Sequence, residues 1–459
     1  MKRISRRDFL RVSAGVVGAG LLAACAPATA PAPAAQPAAT SAAAAATSAP
    51  APTVAPAIKG YQGKFVILSA GVADQNQPLI KAIQDTHPGV TVDWRSLSSE
   101  KFTQLFAASQ VAGDQIDLMD LNGQDLRRYA VAGVVKDLSD ISYKDRFRDI
   151  GLQTYTINGK LWALPRGGLS GFTYFYNKKV LDKINAPKVP ETYDDLVALT
   201  PALQKAGIAP VVHPGKNIYL WPIWQFWAFA QTSNNKPVDE TIKTLNNQMK
   251  FTDPEQVGGL DILAQYTKDK MFINSVNSLD RDGAFILFSQ QKALFYYEHI
   301  GTMLYTYRGG QYPDLDMQLI PPLLSAKGGN IQRQLPGGTG SADCIYAKIA
   351  PERVDVAQSI LDLITSDEWV KWANTTFKDP VSCNKNVVAS DDPLAVDYGT
   401  KCADLQFTYL DWYWPPEITA ACQQGQQAIV AGTSTSAQAA DAIQKAMDSL
   451  YQGGYKFQG

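Results

Sequence analysis

Asn158-Gly159 lies between two apolar runs and constrains the fold more than any other pair of residues in the chain. Together the two residues supply the positive-φ positions of a type I′ turn, so Thr154–Ile157 and Lys160–Leu164 are predicted to pair as a hairpin. Pro165 ends the second strand. The segment Pro165-Arg166-Gly167-Gly168-Leu169-Ser170-Gly171 reads as too flexible for a strand interior, and an aromatic strand, Phe172–Tyr176, is expected after it. Asn177 closes that strand. Further on, Thr192 followed three residues later by Asp195 forms a capping box, with Leu196, Leu199 and Leu203 on one helical face and Gly207 as the stop.

Upstream, Lys64–Leu68 reads as a strand, a small-residue turn follows at Ser69-Ala70-Gly71, and Pro78 opens a helix that His87-Pro88-Gly89 breaks. Val90–Trp94 is the next strand, so the chain begins β-α-β. A helix carrying Phe102, Leu105 and Phe106 leads to a buried strand at Ile116–Met119 and the loop Asp120–Gln124. Downstream the pattern is mainly helical. Trp221, Trp224 and Trp227, spaced by three, share one helical face, which serves either helix packing or a flat binding platform.

Acidic and basic side chains nearly cancel, 43 against 42, and this excludes a nucleic-acid-binding surface built on a bulk basic excess. Ser5-Arg6-Arg7-Asp8-Phe9-Leu10 has twin-arginine form, and the apolar run Val12–Ala24 is short and rich in small residues, as in a leader. It ends in Leu22-Ala23-Ala24-Cys25, which resembles a lipobox. Residues 1–24 are therefore expected to be a signal peptide, Cys25 to be lipidated, and residues 25–60, rich in Ala, Pro, Ser and Thr, to form a tether. The rest of the chain is then extracytoplasmic and anchored to the membrane. That address permits disulfides, and among Cys344, Cys383, Cys402 and Cys422 the expected pair is Cys383 with Cys402. No C-x-x-C occurs, and the histidines are His87, His213 and His299, so no zinc cluster or cofactor is predicted.

The ordered set NGKLWALP, YFYNKKVLDKI, P-x-T-Y-D-D-L and KAGIAP resembles the interdomain crossover of the family-1 extracellular solute-binding proteins of ABC importers. DLRRYAVAGVVKDLSD is similar to a helix and turn of the same family. Gln291 and Leu294-Phe295 depart from its helix-to-strand pattern, which has Gly and small residues with Met there. The resemblance implies an α/β, two-lobed fold of the periplasmic-binding-protein type II, with a ligand cleft between lobes joined by crossover segments. It also implies a monomer that performs no catalysis, captures a sugar or oligosaccharide and delivers it to importer permease subunits. On this basis residues 61–170 and 292–336 are assigned to the first lobe, and 171–291 and 337–459 to the second. A secreted glycoside-acting enzyme, or a binding protein for a ferric chelate or polyamine, remains the alternative.

Sugar recognition needs aromatic faces for the C–H side of the ring and a few placed polar groups for its hydroxyls. In loops where the resemblance locates the cleft, the polar candidates are Gln75, Asn122, Arg166, Ser170, Glu298, His299, Thr339 and Asp343, and the walls are Trp224, Trp412 and Trp414. Arg166 also reads as a plain surface ion pair, and Asp343 as a loop cap. Tyr296-Tyr297-Glu298-His299 holds donors suited to ferric iron, but on a strand Tyr296 and Tyr297 point to opposite faces. No nucleophile elbow, P-loop, H-E-x-x-H or dinucleotide fingerprint occurs. A glycosidase's two acids, however, can lie far apart in sequence.

Overall fold

The computed structural model of the chain describes residues 61–69, 71, 73–97, 102–307, 311–325 and 331–458. The expected leader, Cys25 and the tether lie outside the described residues. Strands β1 (Gly63–Ser69) and β2 (Val90–Ser96) run parallel, joined by the helix Gln77–Thr86, and β3 (Leu118–Asn122) lies parallel on the other side of β1. Phe65, Val66, Ile67 and Leu68 are all buried, as a central parallel strand covered on both faces requires.

The Asn158-Gly159 turn joins β4 (Thr156–Ile157) to β5 (Lys160–Leu161), with φ of 54° and 74° at the two turn residues. After the short β6 (Leu164–Pro165), β7 (Gly168–Asn177) is one continuous strand. Gly168 and Gly171 therefore belong to the strand, contrary to the sequence expectation, while Gly167 precedes it. Close backbone approach is the reason: a Cβ on Gly168 would lie 2.5 Å from the Val381 carbonyl oxygen, and one on Gly171 2.5 Å from that of Pro336. The capping box holds as expected, Thr192 Oγ1 accepting from Asp195 N at 3.1 Å and Asp195 Oδ2 from Thr192 N at 3.1 Å.

The remaining strands are β8 (Ala209–Val212), β9 (Ala293–His299), β10 (Met317–Ile320), β11 (Leu335–Thr339), β12 (Ser341–Ile345), β13 (Val381–Ser382) and β14 (Gln406–Phe407). They complete two main sheets, β2-β1-β3-β12-β6 and β14-β11-β7-β9-β8, with β10 and β13 also paired to β7. The lobe assignment changes accordingly. Residues 292–336 do not return to the first sheet, because β9 pairs antiparallel with β7 along Phe172–Tyr176 and β11 pairs with Gly171 to Leu169. Residues 341–345 do return to it, between β3 and β6, and the helices Val354–Ile364 and Asp367–Phe377 pack in its core. The chain crosses between sheets at 165–168, 339–341 and 377–383.

The helix Leu220–Thr232 is buried on all sides, so the tryptophan stripe is core. Trp224 is fully buried, and its Nε1 donates to Tyr174 Oη at 3.0 Å. It lines no wall. Tyr296 and Tyr297 do face opposite sides of β9, each in a different hydrophobic cluster. The expected Cys383–Cys402 disulfide does not form. All four described cysteines are unpaired and buried, Cys383 in the first lobe's core and Cys402 in a cluster of the second, against Thr173. Among the described residues no helix is long and apolar enough to cross a membrane.

Candidate functional site

The register of the first sheet builds the polar end of the site. Asp343 on β12 pairs with Asp120 on β3 and with Leu164 on β6, so two carboxylates stand side by side on one face. Arg166, two residues past Leu164, returns over that face: its Nε lies 3.5 Å from Asp343 Oδ2 and its Nη2 3.8 Å from Asp120 Oδ2. Ser69, at the carboxyl end of β1, donates to Asp120 Oδ2 at 2.8 Å and accepts from Gly71 N at 2.9 Å. The Trp94 ring lies 5.6 Å from the guanidinium, held by its Nε1 donating to the Gly71 carbonyl at 3.0 Å. Asp120, Asp343, Arg166 and Gly71, with Asn76, Ser341 and Phe377, line a cavity of about 230 Å³ at the carboxyl ends of β1 and β3, and Ser69 and Trp94 stand behind it. Burial pushes Asp343 up to about 7, against the pull of Arg166 and with the help of the Asp120 charge.

A second cavity of about 180 Å³ shares Asp120 and Ser341 with the first and is also lined by Asn122 and Asp125. The last two residues in turn line a third cavity, about 800 Å³, whose far side is Trp412, Tyr413, Trp414 and the C-terminal segment through Phe457. The three abut in a row from the first lobe's strand ends to the aromatic wall of the second. Asn122 caps the helix Gly123–Val131, its Oδ1 accepting from Asp125 N at 2.8 Å. From that helix Arg127 reaches the other lobe, its guanidinium 4.3 Å from the Tyr413 ring centroid. Trp412 sits directly on Gly123, where a Cβ would come within 2.1 Å of its Cε3. Behind Trp412, Tyr409 (4.9 Å between centroids), Phe172 and His299 continue the aromatic contact into the second lobe.

Two lobes, three crossings and a row of cavities between sheet ends and an aromatic wall describe a clamshell. Residues 70–371, well over half of the chain, match the family described as bacterial extracellular solute-binding protein. The chain belongs to that family. Among curated relatives of this solute-binding protein is an uncharacterized ABC transporter extracellular-binding protein of Pyrococcus horikoshii, 23% identical over 41% of this chain and 44% of its own length. A probable sugar-binding periplasmic protein of Mesorhizobium japonicum is 33% identical over 24% of this chain and 27% of its own. The chain thus spans less than half the length of these curated relatives. A solved chitin oligosaccharide binding protein shares the fold at 18% identity and a TM-score of 0.72, covering 85% of this solute-binding protein and 99% of the other chain.

Of the polar and aromatic candidates, Asn122, Arg166, Asp343, Trp412 and Trp414 line the row of cavities. The others lie elsewhere. Gln75 is exposed, and its neighbour Asn76 faces the cavity instead. Ser170 is inside the β7–β11 ladder. Thr339 is fully buried and donates to Tyr155 Oη at 2.6 Å beside the second crossing. Glu298 is fully buried, with Arg281 Nη2 donating to its Oε1 at 3.0 Å, and burial raises its carboxyl above the ordinary range. His299 caps the helix Ile300–Thr306, its Nδ1 accepting from Gly301 N at 3.2 Å. Sequence reading missed Asp120, Trp94, Arg127 and Ser341. Asp120 had a visible signal, an acid at the end of an apolar strand. Trp94 and Ser341 reach the site only through sheet register.

Proposed function

We propose that this protein captures a sugar or oligosaccharide outside the cytoplasm and delivers it, unaltered, to the permease of an ABC importer. The observation that carries this reading is the row of three neighbouring cavities that share lining residues, with charged and amide groups at one end and tryptophan and tyrosine faces at the other. That division suits a ring with hydroxyls on its edge and C–H groups on its faces. The names of two of the similar proteins, one sugar-binding and one chitin-oligosaccharide-binding, support the same ligand class. The remaining candidates from the sequence, Gln75, Ser170, Glu298, His299 and Thr339, act in this reading as supports of the lobes rather than ligand contacts. The protein works as a monomer, lipidated on Cys25 after twin-arginine export, with residues 25–60 as its tether; the leader and lipobox motifs support this. Closure about the crossings at 165–168 and 339–341 traps the ligand and presents the closed form to the permease; Gly337 and Gly338, expected from sequence as a crossing, are instead paired with β7.

A thermal-shift screen over mono- and oligosaccharides, amino acids, polyamines and ferric chelates, with recovery of each sugar, tests the reading. A sugar at 100 times its dissociation constant stabilises the protein by ~2.7 kcal/mol, and it is recovered intact. Cleaved sugar, or a shift with chelates alone, refutes the proposal.

A further inference from the structure

The polar end of the site sets two carboxylates, Asp120 and Asp343, against one guanidinium. Asp343 is 1% exposed, and neither of its carboxylate oxygens has a hydrogen-bond partner. Arg166, the only cation lining this cavity among the described residues, divides itself between Asp343 and Asp120 at 3.5 and 3.8 Å, and its Nη1 is also buried without a hydrogen-bond partner. Asp379 adds a third carboxylate behind the first crossing, its Oδ2 accepting from Gly168 N at 2.9 Å. Two carboxylates share one guanidinium in this pocket, and burial holds Asp343 partly protonated, so a ligand cation that stabilises its charged form finds a site there. Three of the buried polar atoms without a partner, Asp343 Oδ1 and Oδ2 and Arg166 Nη1, belong to two residues that line this one cavity.

The missing partner is constrained by chemistry. A carboxylate on the ligand would add a further negative charge. A hydroxyl offers one donor and no charge, so it leaves most of Asp343 unanswered. A protonated amine offers three donors and the missing positive charge in one atom. The cavity of about 230 Å³ would hold about eight waters at ~30 Å³ each, the room of a single sugar ring. It opens past Ser341 and Asn122 toward the aromatic wall. We propose that this pocket receives the ammonium-bearing ring of an amino sugar, with Asp343 as the residue that selects it. The proposal rests on the sugar reading above and goes beyond it, since it names the terminal group.

Calorimetric titration of the protein with three sets of oligosaccharides of equal length separates the two readings: free-amino, N-acetylated and neutral. The free-amino set is expected to bind at least tenfold more tightly than the neutral set. In Asp343→Asn that preference disappears, the ratio of free-amino to neutral affinity falling to about one whatever the absolute affinities. The wild-type series alone decides the question if the variant does not fold. Neutral sugars binding as tightly as amino sugars overturn this inference and leave the sugar reading intact. An undiminished amino preference in Asp343→Asn overturns the assignment to this pocket. A linear polyamine binding as tightly as the amino sugar overturns the ring. No binding by any sugar sinks the sugar reading itself, and this inference with it.

Discussion

Gly123→Ala should weaken ligand binding without weakening the fold. The new Cβ would meet Trp412 Cε3 at 2.1 Å and Cζ3 at 2.5 Å, whereas ordinary contact begins at 3.4 Å, so one side has to move. Gly123 belongs to the first lobe and Trp412 to the second, and the easiest movement is separation of the lobes. Each lobe's own core is untouched by the substitution. Overpacking of this size costs ~1–3 kcal/mol, here charged to the closed state alone. At 1.4 kcal/mol per decade, the dissociation constant should rise between about 5-fold and 100-fold. Calorimetry gives the affinity, and chemical denaturation without ligand should change by less than about 0.5 kcal/mol. Trp412→Ala in the same protein removes the clash, so the double variant should lose no more affinity than Trp412→Ala alone. Unchanged affinity in Gly123→Ala, or an equal loss of ligand-free stability, refutes the claim that this contact belongs to closure.

Four further outcomes are expected. Asp343 titrates at about 7 in the folded protein, well above the unfolded carboxyl, so the folded state binds the extra proton between about pH 4 and 7. Its contribution therefore favours stability below that window and is lost as pH rises through it. Asp343→Asn should raise stability at pH 8 by on the order of 3 kcal/mol relative to its effect at pH 4, as read by denaturant melts at both pH values. Arg281→Met strands Glu298 as a buried charge and should cost ~3–5 kcal/mol, most of it regained by adding Glu298→Gln; denaturation of both variants checks this. Gly338, at φ 135° in β11 just before the 339–341 crossing, occupies backbone that side chains rarely adopt, so Gly338→Ala should strain the strand leading into that crossing and change ligand affinity; a titration identical to wild type counts against a hinge at 339–341. The four buried thiols of residues 61–459 should resist a thiol reagent in the native protein and all react on unfolding.

Much of the local structure of both lobes was legible in local chemistry. The Asn-Gly turn, the Thr192–Asp195 box and the opening β-α-β appear as read because each is decided within a few residues. Lobe membership after residue 291 was not legible. Nothing local distinguishes an aromatic strand that joins β7 from one that returns to β3; only the competition for partners on each sheet edge decides it. Gly168 and Gly171 misled for a related reason, since their lack of side chains serves neighbouring backbone from distant sequence rather than flexibility. The site shows the same division. Arg166 and Asp343 were found from their loops, but their meeting with Asp120 depends on register across three strands. Trp224 failed as a wall because spacing of three marks one helical face without saying which side is core, and here every side is.

The most direct test of the account is a titration of the tightest-binding sugar against wild type and one variant from each lobe, Asp120→Asn and Trp412→Ala. A ligand held between the lobes predicts one site per chain in wild type and at least tenfold weaker binding in both variants, with the sugar recovered unchanged. Weakening in only one of the two, or in neither, would contradict a site shared across the cleft.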